Sequence, residues 1–138
     1  MFTNADCTVF NRKLNKETRT DVWYKSYIRG VYWEDTKSVK YNDNKNVSNE
    51  STLFVSIPSN ADTVGKSYVK PNEYKAASAE AAFTFAIGDI IMKGIISENI
   101  DSSTTVKDLQ QKYDDYHVIT ECADYRFGGL PHLEVSGK

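Results

Sequence analysis

His117-Val118-Ile119-Thr120-Glu121-Cys122-Ala123, then Asp124-Tyr125-Arg126-Phe127-Gly128-Gly129, then Leu130 to Lys138, is the stretch whose reading decides the fold. Successive side chains of a strand point to opposite faces, so the first segment reads as an alternating strand. The Gly-containing segment reads as a loop, and the remainder as a second strand running almost to the final residue. A chain that ends inside a strand is expected to have its terminus fixed by sheet pairing, with no tail for targeting or anchoring.

The same pattern extends upstream. Cys7-Thr8-Val9-Phe10 is a short strand, and Asn15-Lys16 turns the chain. Asp21 to Lys40 is rich in aromatic and β-branched residues, and Gly30 interrupts it, which predicts a bulge or tight bend between two strands. Asn42 to Asn49 is polar apart from Val47 and reads as a loop. Ser51 to Ile57 is a strand with Leu53, Val55 and Ile57 on one face, ended by Pro58. Asn60 to Tyr68 is a second loop, and Lys70 to Tyr74 turns into a short helix because Pro suits the first helical turn. Lys75 to Ala82 has high helix propensity but almost no apolar stripe, so a surface helix and an ordered loop both fit. Phe83-Thr84-Phe85 and Asp89 to Ile96 are strands hinged at Gly88. Thr104 to Lys112 is a capped helix with Val106, Leu109 and Tyr113 at helical spacing. Short strands with a minority of helix predict a mainly β single domain over residues 1–138, a barrel or sandwich of about six to eight strands with one or two short helices.

Composition narrows the function. A chain of 138 residues is long enough to bury roughly 65–70% of its unfolded surface without metals or disulfides. The net charge of -2, with basic residues interleaved among acids, argues against a dedicated nucleic-acid binder. Cys7 and Cys122 stand in no metal-ligand spacing and read as buried free thiols. No basic and apolar leader opens the chain, and no apolar run approaches transmembrane length, so synthesis and folding in a cytoplasm are expected, with no membrane partner.

Each chemical motif has a plainer explanation. Asn60-Ala61-Asp62-Thr63-Val64-Gly65-Lys66-Ser67 imitates a phosphate-binding loop, but Asn60 replaces the first glycine and Tyr68-Val69 with Pro71 forbids the helix that such a loop needs. His117 and His132, possible neighbours across the hairpin, could recruit Cys122 or Asp124 to a metal. His117 and Cys122 lie five positions apart and so point to opposite faces, and both histidines read as strand surface. Asp114-Asp115, and Asp101 with Glu98, lack a partner base and read as solvated turns. Asn46-Val47-Ser48 and Asn49-Glu50-Ser51 match a glycosylation pattern that means only an exposed polar loop here. The expectation is a non-enzyme without catalytic, cofactor or metal residues. The better candidates are the polar loops, with Asn42, Asp43, Asn44, Lys45 and Asn46 in one and Ser59, Asn60, Asp62 and Lys66 in the other, because binding elements sit on loops over rigid sheets.

Three pieces carry a family resemblance. They are Thr3-Asn4-Ala5-Asp6-Cys7-Thr8-Val9-Phe10-Asn11 with Gly30-Val31-Tyr32-Trp33; Tyr68-Val69-Lys70-Pro71-Asn72-Glu73-Tyr74 leading to Gly88-Asp89-Ile90-Ile91-Met92-Lys93-Gly94; and Val118-Ile119-Thr120, Asp124, Phe127-Gly128 and His132 to Lys138. Together the chain resembles small structural proteins in the head–tail gene block of phages and prophages of Gram-positive bacteria, and its element order is similar to their head-closure (stopper) proteins. The resemblance implies a virion component at the head–tail junction. It would form a ring by self-association, with portal and adaptor proteins on one side, tail proteins on the other, and a loop near the packaged DNA. A near-neutral loop would let DNA slide where a basic one would hold it. The Ala-rich segment and the helix Thr104 to Lys112 exceed a minimal stopper, which leaves adaptor, tail-terminator and minor-capsid roles open. From another class, a monomeric module presenting Tyr-rich loops to a sugar or protein also fits.

Overall fold

The computed structural model describes residues 2–41 and 47–138, with 37–41 and 47–51 described by their backbone. In chain order its elements are β1 (Ala5–Asn15), β2 (Thr20–Tyr41), β3 (Val47–Pro58), β4 (Ser67–Tyr68), α1 (Pro71–Tyr74), β5 (Ala82–Phe83), β6 (Ile90–Lys93), α2 (Val106–Lys112), β7 (Tyr116–Tyr125) and β8 (His132–Gly137). Six strands close an antiparallel barrel in the order β1-β2-β3-β8-β7-β6, and β4 and β5 form a small parallel pair. The mainly β expectation holds, in its barrel form.

The aromatic and β-branched run that Gly30 was expected to divide is one strand with a bulge. Pairing with β1 steps from Asp6↔Arg29 to Ala5↔Val31, so Gly30 is the extra residue. Its φ of 85° is open to glycine, and its N–H donates to Asp6 Oδ1 at 3.0 Å. A bulge bends a strand and raises its twist, so β2 can serve two partners. Its first half pairs with β1 and its second half, from Tyr32, with β3.

The β2–β3 pairing outruns the barrel. Leu53↔Gly137 is the last rung that β3 shares with β8, yet β2 and β3 stay paired from Thr36↔Thr52 to Tyr41↔Val47. The result is a two-stranded ribbon leaving the rim. The polar stretch expected to be loop through Asn49 is therefore strand from Val47 onward. Ladder pairing is a backbone property and needs no apolar side chains. The candidate residues Asn42, Asp43, Asn44, Lys45 and Asn46 lie outside the described residues.

Two cores sit on either side of the β1–β6 pair. Cys7, Val9, Ile28, Val31, Trp33, Leu53, Val55, Ile57, Ile91, Ile119, Leu133 and Val135 face the barrel interior together with Phe83 and Phe85. Phe10, Ile90 and Met92, on the other face, pack with Ile96 and with Leu109 of α2. Strand β1 is thus buried on both faces from Cys7 to Asn11. Helix α2 begins at Val106, after the capping box of Thr105 and Asp108, two residues later than the sequence suggests. The Ala-rich segment is turn rather than helix beyond Tyr74, as its missing apolar stripe allows.

The segments expected as strands at Phe83–Phe85 and Asp89–Ile96 are shorter than predicted. Strand β6 stops at Lys93 because Gly94, at φ 88°, turns the chain, and Thr84 leaves the sheet to meet a buried side chain of β1. That side chain is Asn11, with no exposed surface. Its Nδ2 donates to Thr84 O at 2.6 Å and to Asp89 Oδ2 at 2.9 Å, and its Oδ1 accepts from Thr84 N at 3.2 Å. Asp89 also accepts from the N–H groups of Arg12 and Ala86. Burial pushes the Asp89 carboxyl above the usual carboxylate range, and these donors pull against it.

Asn11→Ala removes the side-chain partner of the Thr84 N–H and C=O groups and one of the three donors to Asp89. A buried group left unsatisfied costs about 1–3 kcal/mol, so urea denaturation is expected to show a loss of roughly 3 kcal/mol, and a loss below about 1 kcal/mol would mean that water replaces the clip. Gly137 is a second sensitive point, because a Cβ there would stand 2.7 Å from Val118 O, inside the β7–β8 junction. Overpacking of this kind costs about 1–3 kcal/mol, so Gly137→Ala should lower the melting temperature although alanine normally suits a strand better than glycine; an unchanged melting temperature would refute the close approach.

Candidate functional site

The barrel rim, where the ribbon departs, gathers polar groups that a barrel interior normally lacks. Interior positions of β2 run Val31, Trp33, Asp35 at period two, and those of β7 run His117, Ile119. Asp35 lies on the last barrel rung, opposite Leu53, which is in turn opposite Gly137. His117 pairs with Ile91 of β6. Strands β2 and β7 are separated by two strands in either direction around the barrel, so Asp35 and His117 approach each other across its interior.

His117 is 2% exposed, and its Nε2 stands 3.2 Å from Asp35 Oδ2. The contact has ion-pair distance without hydrogen-bond alignment: neither ring nitrogen has a hydrogen-bond partner, and Asp35 Oδ1 and the Trp33 indole nitrogen are likewise buried and unpartnered. The Trp33 ring lies edge-on to the imidazole, with centroids 5.7 Å apart. Asp115, half-buried in the turn before β7, completes the group, and one donor atom from each of Asp35, Asp115 and His117 lies within 4.8 Å of the others. The turn is held to β6 by Lys93 N–H donating to Asp115 O at 3.3 Å.

This placement corrects three sequence expectations. His117 is interior, not strand surface, because it shares the phase of Ile119. Asp115 is not simply a solvated turn residue, because it precedes His117 by two positions and keeps its phase. His117 and His132 are not neighbours across the hairpin, since β7 meets His132 at Tyr125. His132 is engaged locally, with Nδ1 at 2.8 Å from Leu130 O and Nε2 at 3.1 Å from Glu134 Oε1, and both contacts raise its pKa. Asp124 is held by a two-bond fork from Arg126, which lowers its pKa. Cys7 is fully buried as expected, whereas Cys122 is half-buried with its sulfur 3.9 Å from Tyr68 Oη.

The second candidate loop lies along the barrel wall. Ser59 and Asn60 are exposed, and Ser59 N–H donates to Pro131 O at 3.1 Å. Asp62 exchanges backbone hydrogen bonds with Arg29 of β2 at 2.7 and 3.1 Å, and its Oδ1 accepts from Val64 N–H. Lys66 Nζ donates to Lys25 O and Ser26 Oγ, each at 2.9 Å, and burial lowers its pKa. Two of the three ammonium donors of Lys66 are thus spent on the barrel, and the chain continues as β4 where a phosphate loop would need a helix.

A groove of about 400 Å³ between β1 and α1 is rimmed by Arg12, Lys13, Lys16 and Lys75. Its cations are partly engaged, with Lys13 donating to Ala77 O and lying 4.4 Å from the Tyr74 ring centroid, and Arg12 4.0 Å from Asp21. Among the described residues no helix is long and apolar enough to cross a membrane.

No curated protein and no solved structure matches this chain. Its residues 2–138 match the Family of unknown function (DUF6751), and the chain belongs to that family.

Proposed function

We propose that the protein is a non-enzymatic virion component of the head–tail junction of a tailed phage, a head-closure (stopper) or adaptor subunit. In this reading it assembles as a ring between the portal complex and the tail and helps to retain packaged DNA. The observation that carries the proposal is the ribbon of β2 and β3 leaving a closed barrel at its rim. A ring subunit needs a rigid body to pack against its neighbours and an extension long enough to reach the lumen. The barrel and the ribbon supply these two parts, and the polar residues Asn42 to Asn46 connect the ribbon's strands.

Other features support the same reading. The early hairpin β1–β2, the strand through Trp33, the strand β6 introduced by Gly88-Asp89, and the last hairpin β7–β8 follow the order expected of a stopper. Closed rings require two different surfaces on each subunit that meet head to tail. The connection between β7 and β8 offers one such surface, with Phe127 87% and Leu130 59% exposed. Glycines at 128 and 129 between these two residues leave their backbone free to fit a neighbour.

Electron microscopy of the parent particle, with a label inserted at the exposed β1–β2 turn near Lys16, is expected to place the chain around the portal axis between head and tail. Label elsewhere on the particle, or its absence from purified virions, would overturn the assignment. The paired change Phe127→Asp and Leu130→Asp is expected to abolish ring assembly on the portal complex while shifting stability by no more than about 0.5 kcal/mol, the usual range for surface substitutions. Rings that form undisturbed would exclude this loop as the subunit contact.

A further inference from the structure

We infer that Asp35, Asp115 and His117 form a binding site for one divalent transition-metal ion at the barrel rim. Three observations converge on it. Three potential ligand atoms, one from β2 and two from the start of β7 and the turn before it, lie within 4.8 Å of one another. The imidazole among them is 98% buried, from its 2% exposure, and neither of its nitrogens is hydrogen-bonded. Asp35 Oδ2 stands 3.2 Å from the imidazole Nε2 without hydrogen-bond alignment.

That last combination separates a metal site from a simple ion pair. In a His–Asp ion pair the N–H points at the carboxylate oxygen. In a metal site both donors point at the ion, so they stand close but are not aligned with each other. With bonds of about 2.0–2.2 Å to the ion, two ligand atoms are held roughly 3.0–3.5 Å apart. The His117–Asp35 separation falls in this interval. Asp115, half-buried, brings a donor atom within 4.8 Å of the other two.

The donor set limits the ion. One imidazole nitrogen with two carboxylate oxygens suits Zn²⁺, Co²⁺, Mn²⁺ or Fe²⁺, and disfavours the soft ions that require thiolate. Three protein donors leave a coordination position for water. The ion's structural effect follows from its place in the topology. Strands β2 and β7 share no hydrogen-bonded ladder, so an ion bound here would join them across the barrel mouth at the foot of the ribbon.

The test uses the full chain stripped with EDTA and titrated by calorimetry with Zn²⁺ and with Mn²⁺. The expected result is one saturable site per chain for at least one of these ions, with a rise in melting temperature on binding. Asp35→Asn and Asp115→Asn preserve side-chain shape and are each expected to weaken binding by at least about tenfold, the loss seen even for partners outside the first coordination sphere. Substitution with Co²⁺ is expected to give a visible spectrum without a thiolate charge-transfer band. Absence of saturable binding of either ion, wild-type affinity in both variants, or a thiolate band locating the ion at a cysteine would each overturn the site.

Discussion

The barrel depends on closing through its shortest wall strand. Strand β6 spans four residues, and it must meet β1 on one side and β7 on the other. So few rungs fix a register weakly, and the residues just before β6 supply what is missing. The Asp89 side chain is gripped by Asn11 and the Arg12 amide of β1. The backbone of the same segment is bonded to β7, with Gly88 N–H donating to Ile119 O at 2.9 Å and Ile119 N–H to Asp89 O at 2.8 Å. One dipeptide therefore fastens both neighbours of β6 before the strand begins. A buried carboxylate is tolerable only when its oxygens are well supplied with donors, and the same requirement makes the clip specific: a slip of β6 against β1 would strand Asp89 without them.

Closure at this seam also explains why the barrel wall is unequal. Strands β1 and β6 are covered inside by the barrel core and outside by α2, with Phe10, Ile90 and Met92 meeting Leu109. Burial on both faces makes this the most solidly packed part of the wall. The opposite behaviour is seen where β2 and β3 run beyond β8 and keep only each other as partners. An isolated two-stranded ribbon has little independent stability in water, so its geometry must be inherited from its roots. Those roots are the interior residues Trp33, Leu53 and Val55, and behind them the bulge at Gly30 that aims β2 out of the wall.

Much of this was legible in the sequence because it rests on local rules. The final hairpin, the alternating β3 with Leu53, Val55 and Ile57 inward, the capped helix and the irregularity at Gly30 follow from period and residue type. Three features were not, for one shared reason. The unity of β2, the strand character of 47–50, and the interior site of Asp35, Asp115 and His117 depend on pairing between distant segments. A glycine with an aspartate waiting at residue 6 makes a bulge, whereas the same glycine without that acceptor could end a strand. The site did leave a signal. Trp33 and Asp35 share a face of β2, as His117 and Ile119 do of β7, so the phase of the flanking core residues carried both polar groups inward. What no single strand could reveal is that β2 and β7 face each other.

The polar rim has a consequence for fold specificity beyond any ligand. Side chains alternate along a strand, so a slip by one residue exchanges its two faces. In β2 such a slip would bring Tyr32 and Glu34 inward and carry Trp33 and Asp35 out, parting Asp35 from His117 and exposing Trp33, which is 5% exposed in the native register. Apolar residues alone discriminate this poorly at a rim, where Tyr32 could replace Trp33 in part. In that register Glu34 takes the place of Asp35, and its side chain is one methylene longer than the one that makes the 3.2 Å approach to His117. Buried polar groups commonly select one arrangement at some cost in stability. Here the selection acts at the foot of the ribbon, where an error of one residue would turn the whole extension over.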